Sequence, residues 1–334
     1  MNINNGLRLA IPSDGPLYEP ALLFLRSCGL GILRNNARRY DAEIPALPGV
    51  TVHFQRHRDI FQKIEEGSAD TGIVGYDGFS ETRTNNGTSE VVIKQLGFGH
   101  SQLVFAVPDS WVDVTSISDL SDISREFREN GNDLRIATKF PRLVERFLLK
   151  NGLNYFSLVK ASGTLEAAPS MGYADIIADL SSTGTTLREN HLKTLRGGII
   201  IASEACLIAN TQEMSSSPEK LSQATAMVDR FEGHLRSLDY YSVTANIQGT
   251  SAEEIAMCIL DEDDISGLTG PTISKVYTKG DNNWYAVTVM IQRDKLLDSV
   301  DRFRSIGSGS ITITQPNYVF DSRCKAASRL TGKG

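Results

Sequence analysis

The chain has 334 residues, of which 40% are hydrophobic and 22% charged, with a formal net charge of −6. This is apolar material enough for two or three ordinary soluble domains, and the acidic balance argues against a nucleic-acid surface, which is normally basic. No uninterrupted apolar run approaches the ~18 residues of a membrane span. The first seven residues lack the basic start and apolar core of a secretory signal, so the expected location is the cytoplasm. Cys28, Cys206, Cys258 and Cys324 form no CxxC pair, which points to separate reduced thiols rather than a zinc site.

Residues 7–11 read as a strand, and 20–28 as a helix with Ala21, Leu22, Leu25 and Cys28 on one side. A strand at 50–54, a short helix at 59–66 and a strand at 71–75 follow. Strand and helix in alternation mark an α/β domain with a largely parallel sheet. Two more strands fall within 91–107, around the turn-forming Gly97-Phe98-Gly99. Residues 111–132, polar and rich in Asp and Ser, read as a connection between domains.

A second α/β unit begins with a strand at 134–138 and a helix at 141–151, ended by Gly152. Strand 155–159, a short helix at 165–171, strand 174–180 and a helix opening at 187 complete it. Runs 198–201 and 205–209 return to strand and are expected to pair into the first domain. After a linking helix at 215–237 the pattern changes. Strand 241–246, helix 252–260, strands 272–277 and 284–291, helix 295–306 and strand 310–314 give the ferredoxin-like β-α-β-β-α-β order. The expected domains are 1–107 with 204–236, then 108–203, then 240–322, with a basic tail at 323–334 that frays.

The most informative stretch is 174–188. A buried strand ends in an acid, Asp179. Small hydroxyl residues and one glycine follow, and a helix begins. Successive main-chain N–H groups at Ser182, Thr183, Gly184, Thr185 and Thr186 suit an anion, with the helix dipole adding positive potential. Gly184 permits positive φ and close backbone approach. Asp179 is placed to accept hydrogen bonds from ribose hydroxyls. A Ser/Thr-rich turn that merely caps a helix fits the same residues, so by itself the stretch says phosphosugar or nucleotide site. The lysine of a Walker loop is absent.

Glu166, Gly172, Ala174, Ile177, Asp179, Thr183-Gly184, Thr186 and Leu187 match every position of the signature of ATP phosphoribosyltransferases, which the chain resembles. Segments 7–12, 55–60, 70–75 with Asp77, 96–99 and 135–141 resemble the same family in the right order. Gly270-Pro-Thr-Ile-Ser274 and 284–287 resemble the regulatory domain of its long, histidine-regulated form, in wording closest to the plant-like branch, which implies the plastid stroma as the location if this is a processed plant protein. The resemblance covers roughly residues 7 to 321. It implies a two-lobed core like that of periplasmic binding proteins, followed by a ferredoxin-like regulatory domain.

The implied reaction joins phosphoribosyl pyrophosphate to adenine N1 of ATP, at the start of histidine biosynthesis. The resemblance implies that Thr183 to Thr186 hold the 5-phosphate and Asp179 the ribose. Arg56, Gly75 and Asp77 line the cleft of the first domain, where ATP and pyrophosphate meet, and Glu166 lies beside the nucleotide. Mg²⁺ would bind mainly through pyrophosphate, with few protein ligands. Histidine would inhibit by binding near Pro271, Thr272, Ile273 and Ser274, between subunits of a homodimer or homohexamer.

The chain departs from the family at one place. Relatives usually carry Lys-Gly-Arg or Lys-Gly-Ala after the first strand, where this chain has Ser13-Asp14-Gly15-Pro16. A carboxylate about 4 Å from a unit negative charge costs roughly 1–4 kcal/mol at effective dielectric 80 to 20. Either Asp14 points away, or Arg38, Arg39 or Arg56 compensates, or catalysis is altered. Two further readings follow: a catalytically weakened paralogue that senses histidine or nucleotides, and an exported solute receptor, which the missing signal and the complete loop signature oppose. His100 reads as a surface or packing residue, Trp111 and Trp284 as core or interface anchors, Arg56 and Arg58 alternatively as surface ion-pair partners, and the acidic run 261–264 as a solvated loop.

Overall fold

The computed structural model describes residues 6–34, 36, 39–84, 86–160, 164–261, 265, 267–279 and 283–332. The chain opens with β1 (Arg8–Pro12), α1 (Tyr18–Ser27), β2 (Asp41–Glu43), β3 (Thr51–Gln55), α2 (His57–Glu65), β4 (Thr71–Gly75), α3 (Tyr76–Thr82) and β5 (Ser89–Ile93). It continues with β6 (Ser101–Pro108), α4 (Ile117–Glu129), β7 (Leu134–Thr138), α5 (Pro141–Lys150), β8 (Phe156–Lys160), β9 (Ile176–Ser181), α6 (Thr185–Glu189), β10 (Leu192–Ser203) and β11 (Ala205–Asn210). Helices α7 (Thr211–Ser216) and α8 (Pro218–Ser237) lead to β12 (Tyr240–Gln248), α9 (Ala252–Leu260), β13 (Thr272–Val276), β14 (Trp284–Gln292), α10 (Leu296–Ser305) and β15 (Ser310–Thr314).

Two sheets form the two lobes of the first compact unit, residues 1–225 with 326–334. The first runs β2-β3-β1-β4-β11-β5 and the second β10-β6-β9-β7-β8. In each, three strands are parallel: β3, β1 and β4, and β8, β7 and β9. An antiparallel strand then follows, β11 beside β4 and β6 beside β9. Strands such as β11, buried at every position, read as continuous apolar runs because helices cover both faces of such sheets.

Both lobes tie their central parallel strands with the same clasp. Arg8 donates from its main-chain N to Asp70 Oδ2 (2.7 Å), from Nε to Oδ2 (3.0 Å) and from Nη2 to Oδ1 (2.6 Å). Arg135 repeats this on Asp175 at 2.7, 3.2 and 2.7 Å. A third guanidinium bond reaches the carbonyl of Gly67 in one lobe and of Gly172 in the other.

Several expectations are corrected. Residue 107 is not the border of the first lobe: β6 bonds to β9 and β10, and the crossing lies at 94–100. An apolar run buried on both faces does not say which sheet it joins. For the same reason 198–201 belongs to β10 in the second sheet, and only 205–209 returns to the first. Residues 111–132 are not a plain connection. Ser116 and Asp119 form a capping box at the start of α4, and Ile117 and Leu120 bury against the second core, so the Asp and Ser residues cap and solvate a helix.

The linking helix is broken at Ser217, where Pro218 opens α8, a position that suits proline. The tail does not fray over its whole length: a 3₁₀ segment, Ala326–Thr331, buries Ala326 and Leu330 and contacts β5 and α7.

Residues 226–325 form the second compact unit. Its antiparallel sheet runs β13-β14-β12-β15. With α9 and α10 between strands, this is the ferredoxin-like arrangement. Val243, Ala245, Ile247, Val287, Val289 and Ile291 alternate onto the face packed with Ile255, Ile259 and Phe303, the period of two that a one-sided sheet requires. Among the described residues no helix is long and apolar enough to cross a membrane.

Candidate functional site

The candidate residues gather at the C-terminal ends of the parallel strands, the edge at which open α/β sheets place ligands. In the second lobe β9 carries Asp179 near its end, half-buried beside Val104 of β6. Its Oδ1 accepts the N–H of Leu180 at 2.8 Å. Burial raises the Asp179 carboxyl above the ordinary range and Glu166 adds to this, while the Leu180 N–H and Lys139 work the other way. Glu166 stands in a short 3₁₀ turn anchored by the buried Leu165. Lys139 follows the last residue of β7. The second lobe therefore brings Glu166 and Lys139 each within electrostatic reach of Asp179.

Beyond Ser181 the chain turns outward. Ser182, Thr183, Thr185 and Thr186 are exposed. Gly184 caps α6 in the left-handed region, at φ +71°, a conformation that costs glycine little. Its N–H donates to Ser181 Oγ (3.0 Å), and the hydroxyls of Thr183 and Thr185 lie 3.0 Å apart. Arg188 reaches Thr185 Oγ1 at 3.3 Å. Among the described residues, the main-chain N–H groups of Ser182, Thr183 and Thr186 have no partner. The helix behind them has five residues, so its dipole adds less than the expectation allowed. Local amides, hydroxyls and Arg188 supply the positive character of this turn.

The first lobe contributes differently. Arg56 follows β3 and caps α2 with an extended backbone, and its side chain is exposed. Gly75 ends β4, and a Cβ there would lie 2.6 Å from Asp77 Oδ1, so glycine lets Asp77 fold back against the strand. Asp77 Oδ1 accepts Ser203 Oγ–H at 2.6 Å, and the Asp77 N–H donates to Ser203 Oγ at 2.9 Å. Ser203 and Glu204 lie where the chain recrosses to the first sheet, and Glu204 Oε2 pairs with His100 Nδ1 at 2.7 Å. No local pattern announced Ser203 or Glu204. Lys139 stood inside a family-like segment without a role.

Asp14 is exposed. Of the cations considered as compensation, Arg39 is engaged by Asp41 at 2.7 Å, Arg56 is exposed, and Arg38 lies outside the described residues. Trp111 packs with Phe127 in the second lobe, ring centroids 6.3 Å apart. A cavity of about 610 Å³ beside these two rings is lined by none of the candidate residues.

In the second unit, Pro271 precedes the edge strand β13. Thr272 and Ser274 are exposed, while Ile273 faces the core. Residues 262–264 of the acidic run lie outside the described residues. Cys28 and Cys206 are buried free thiols whose pKa values burial pushes up.

Comparison with known proteins bears on this geometry. The family model described as ATP phosphoribosyltransferase matches residues 56–233, and that described as HisG, C-terminal domain, matches residues 238–316. The chain is 36% identical over 330 residues to ATP phosphoribosyltransferase 2, chloroplastic, of Arabidopsis thaliana, covering 97% of this chain and 79% of that protein. It is 40% identical over 216 residues to ATP phosphoribosyltransferase of Mesorhizobium japonicum, covering 64% and 93% respectively. Among solved structures, the ATP phosphoribosyl transferase (HisG:HisZ) complex from Thermotoga maritima shares the fold, with a TM-score of 0.51 at 24% identity over 67% of this chain and 95% of that one. With both family models matched in order along a two-lobed core and a ferredoxin-like module, the chain belongs to the ATP phosphoribosyltransferase family, the enzymes of the first step of histidine biosynthesis.

Proposed function

We propose that the chain transfers the 5-phosphoribosyl group of phosphoribosyl pyrophosphate to N1 of ATP and releases pyrophosphate. The observation that carries the reading is the half-buried Asp179 at a strand end, followed directly by an exposed loop of hydroxyls and unpartnered amides. In this reading Ser182, Thr183, Gly184, Thr185 and Thr186 hold the sugar phosphate, and Asp179 accepts hydrogen bonds from the ribose hydroxyls. Those donors offset the cost of charging an acid that burial disfavours. Arg56, Gly75 and Asp77 face the nucleotide and pyrophosphate from the first lobe, and Glu166 stands beside the adenine.

Adenine N1 carries no proton, so no strong base is needed. The work of the protein is to hold two polyanions in line and to stabilise charge growing on the leaving group. Arg56 and Lys139 are the side chains suited to the second task. The acids near the loop are Asp179 and Glu166, and no cluster of three or more metal-ligating side chains occurs among the described residues. This donor set fits Mg²⁺, which keeps waters and substrate oxygens as most of its ligands. When bound, Mg²⁺ neutralises pyrophosphate charge.

Histidine acting as a feedback inhibitor at Pro271–Ser274, assembly into dimers or hexamers, and a plastid location like that named for the Arabidopsis relative belong to the same proposal. The exposed Asp14, in place of the usual cation, favours a second reading, a weakened paralogue that binds nucleotide or histidine. Mixing protein, ATP, phosphoribosyl pyrophosphate and Mg²⁺ and following near-ultraviolet absorbance separates the two. Growth of the adduct band supports the transferase. No turnover with histidine still bound supports the sensor.

A further inference from the structure

The start of α5 lacks a local cap. Pro141 opens the helix and has no N–H, and Phe140 at the N-cap offers no side-chain acceptor. The Phe140 N–H is taken by Thr138 Oγ1 at 3.0 Å. The next two donors are answered from the other lobe. Arg142 N–H donates to Glu81 Oε1 and Leu143 N–H to Glu81 Oε2, each at 2.9 Å. The Arg142 guanidinium returns a bond to the Glu81 carbonyl at 2.8 Å. A helix end with unmet N–H groups attracts a carboxylate both by hydrogen bonding and by its dipole.

The placement of this cap matters more than its strength. Glu81 lies in α3, the helix that starts at the Asp77 turn. Helix α5 starts two residues after Lys139, at the strand ends where Asp179 also lies. The lobes are also joined at two chain crossings, which pair with each other through Ala205 N–H to Phe98 O (2.9 Å) and Leu96 N–H to Ala205 O (3.0 Å). Two adjacent crossings make a hinge, about which one lobe can rotate against the other. The α3–α5 contact is a further tie, and it joins the two edges that carry the candidate residues.

We propose that Glu81 is a positioning residue for phosphoribosyl transfer, setting the separation of the Asp77 and Asp179 edges by capping α5 across the seam between lobes. The proposal rests on the transferase reading. Reacting atoms must be held within about 3–3.5 Å, and a displacement of about 1 Å costs on the order of 10²-fold in rate. Glu81 is half-buried and Arg142 exposed, while Leu143 is buried, so water can answer at least the freed Arg142 N–H and the fold survives the loss of the cap.

The test compares wild type with Glu81→Ala, Glu81→Gln and Arg142→Ala. Glu81→Ala lowers kcat about 10- to 100-fold, with a smaller change in KM for either substrate. Glu81→Gln keeps one acceptor oxygen and falls between Ala and wild type. Arg142→Ala removes only the guanidinium bond and loses least. Hydrogen exchange at the Arg142 and Leu143 amides is read on the same proteins: slow in wild type, fast in Glu81→Ala. Kinetic constants within twofold of wild type in Glu81→Ala overturn the proposal, whatever its melting temperature. Equal exchange rates in the two proteins also overturn it, because the cap then does not form in solution. Failure of the wild type itself to turn over defeats the transferase reading instead, and the exchange comparison still judges the cap.

Discussion

Arg8 with Asp70, and Arg135 with Asp175, occupy the same place in their sheets. Leu9 pairs with Thr71, and Ile136 with Ile176, one residue farther along in each case. The surroundings differ. Asp70 is fully buried and receives a second cation, Lys220 from α8, at 2.9 Å. Asp175 keeps 14% of its side chain exposed and Arg135 keeps 42%, against 29% for Arg8. Four residues on from each aspartate the contrast is chemical: Val74, buried, in the first lobe, and Asp179 in the second. In the first lobe a helix then starts at once with Tyr76; in the second an exposed turn intervenes before α6. The repeated clasp is framework, and the chemistry lies in what each strand carries past it.

Removing the more buried clasp has the largest expected effect. Asp70→Ala strands two cations near the core and should cost about 3–5 kcal/mol, read from urea denaturation. A loss below 1 kcal/mol would mean that Asp70 is no better enclosed than Asp175. Next comes Asp179→Val, which copies the first lobe into the second. Turnover should drop by at least about 10²-fold, or roughly 2.7 kcal/mol. The melting temperature should hold or rise, since a carboxylate that burial disfavours is gone. Near-normal turnover would remove Asp179 from the site. Asp175→Ala should cost less than Asp70→Ala, about 1.5–3 kcal/mol, because water reaches Arg135.

The smallest effect is in pH. Burial works to raise the Asp70 carboxyl but is outweighed by hydrogen bonds from Arg8 and Lys220, so its pKa lies below the ordinary value. A depressed carboxyl contributes stability above its unfolded pKa, about 3.9, and loses it as pH falls through the folded value. The wild type should therefore lose stability more steeply than Asp70→Asn on acidification below about pH 4. Parallel slopes in urea titrations would show that the clasp leaves this carboxyl unshifted.

Much of the fold could be read along the chain because apolar period and turn residues are local. Strands β1, β3, β4, β7 and β9 fall within a residue or two of the runs that suggested them. The assignment of β6 was not legible, since Leu103 to Val107 are all buried and an apolar run is indifferent to which sheet takes it. Helix α4 was obscured by its polar face, although Ser116 and Asp119 at capping-box spacing were there to be read. In the site, the Asp179–Thr186 stretch was visible as a unit because acid, hydroxyls and glycine are neighbours in sequence. The partners of Asp77 and the environment of Asp179 were not.

The amino-acid order by itself determined the family signature, the alternation of strands and helices, and the glycine at 184 that permits a left-handed turn. These depend on local sterics and on residues within a few positions of one another. Only the folded chain decided that Ser203 holds Asp77, that Lys139 and Glu166 bear on Asp179, and that Glu81 caps a helix of the other lobe. These pairs stand up to 126 positions apart. They meet because buried donors and acceptors must find partners once the sheets close, and a sequence does not print which distant group will be nearest.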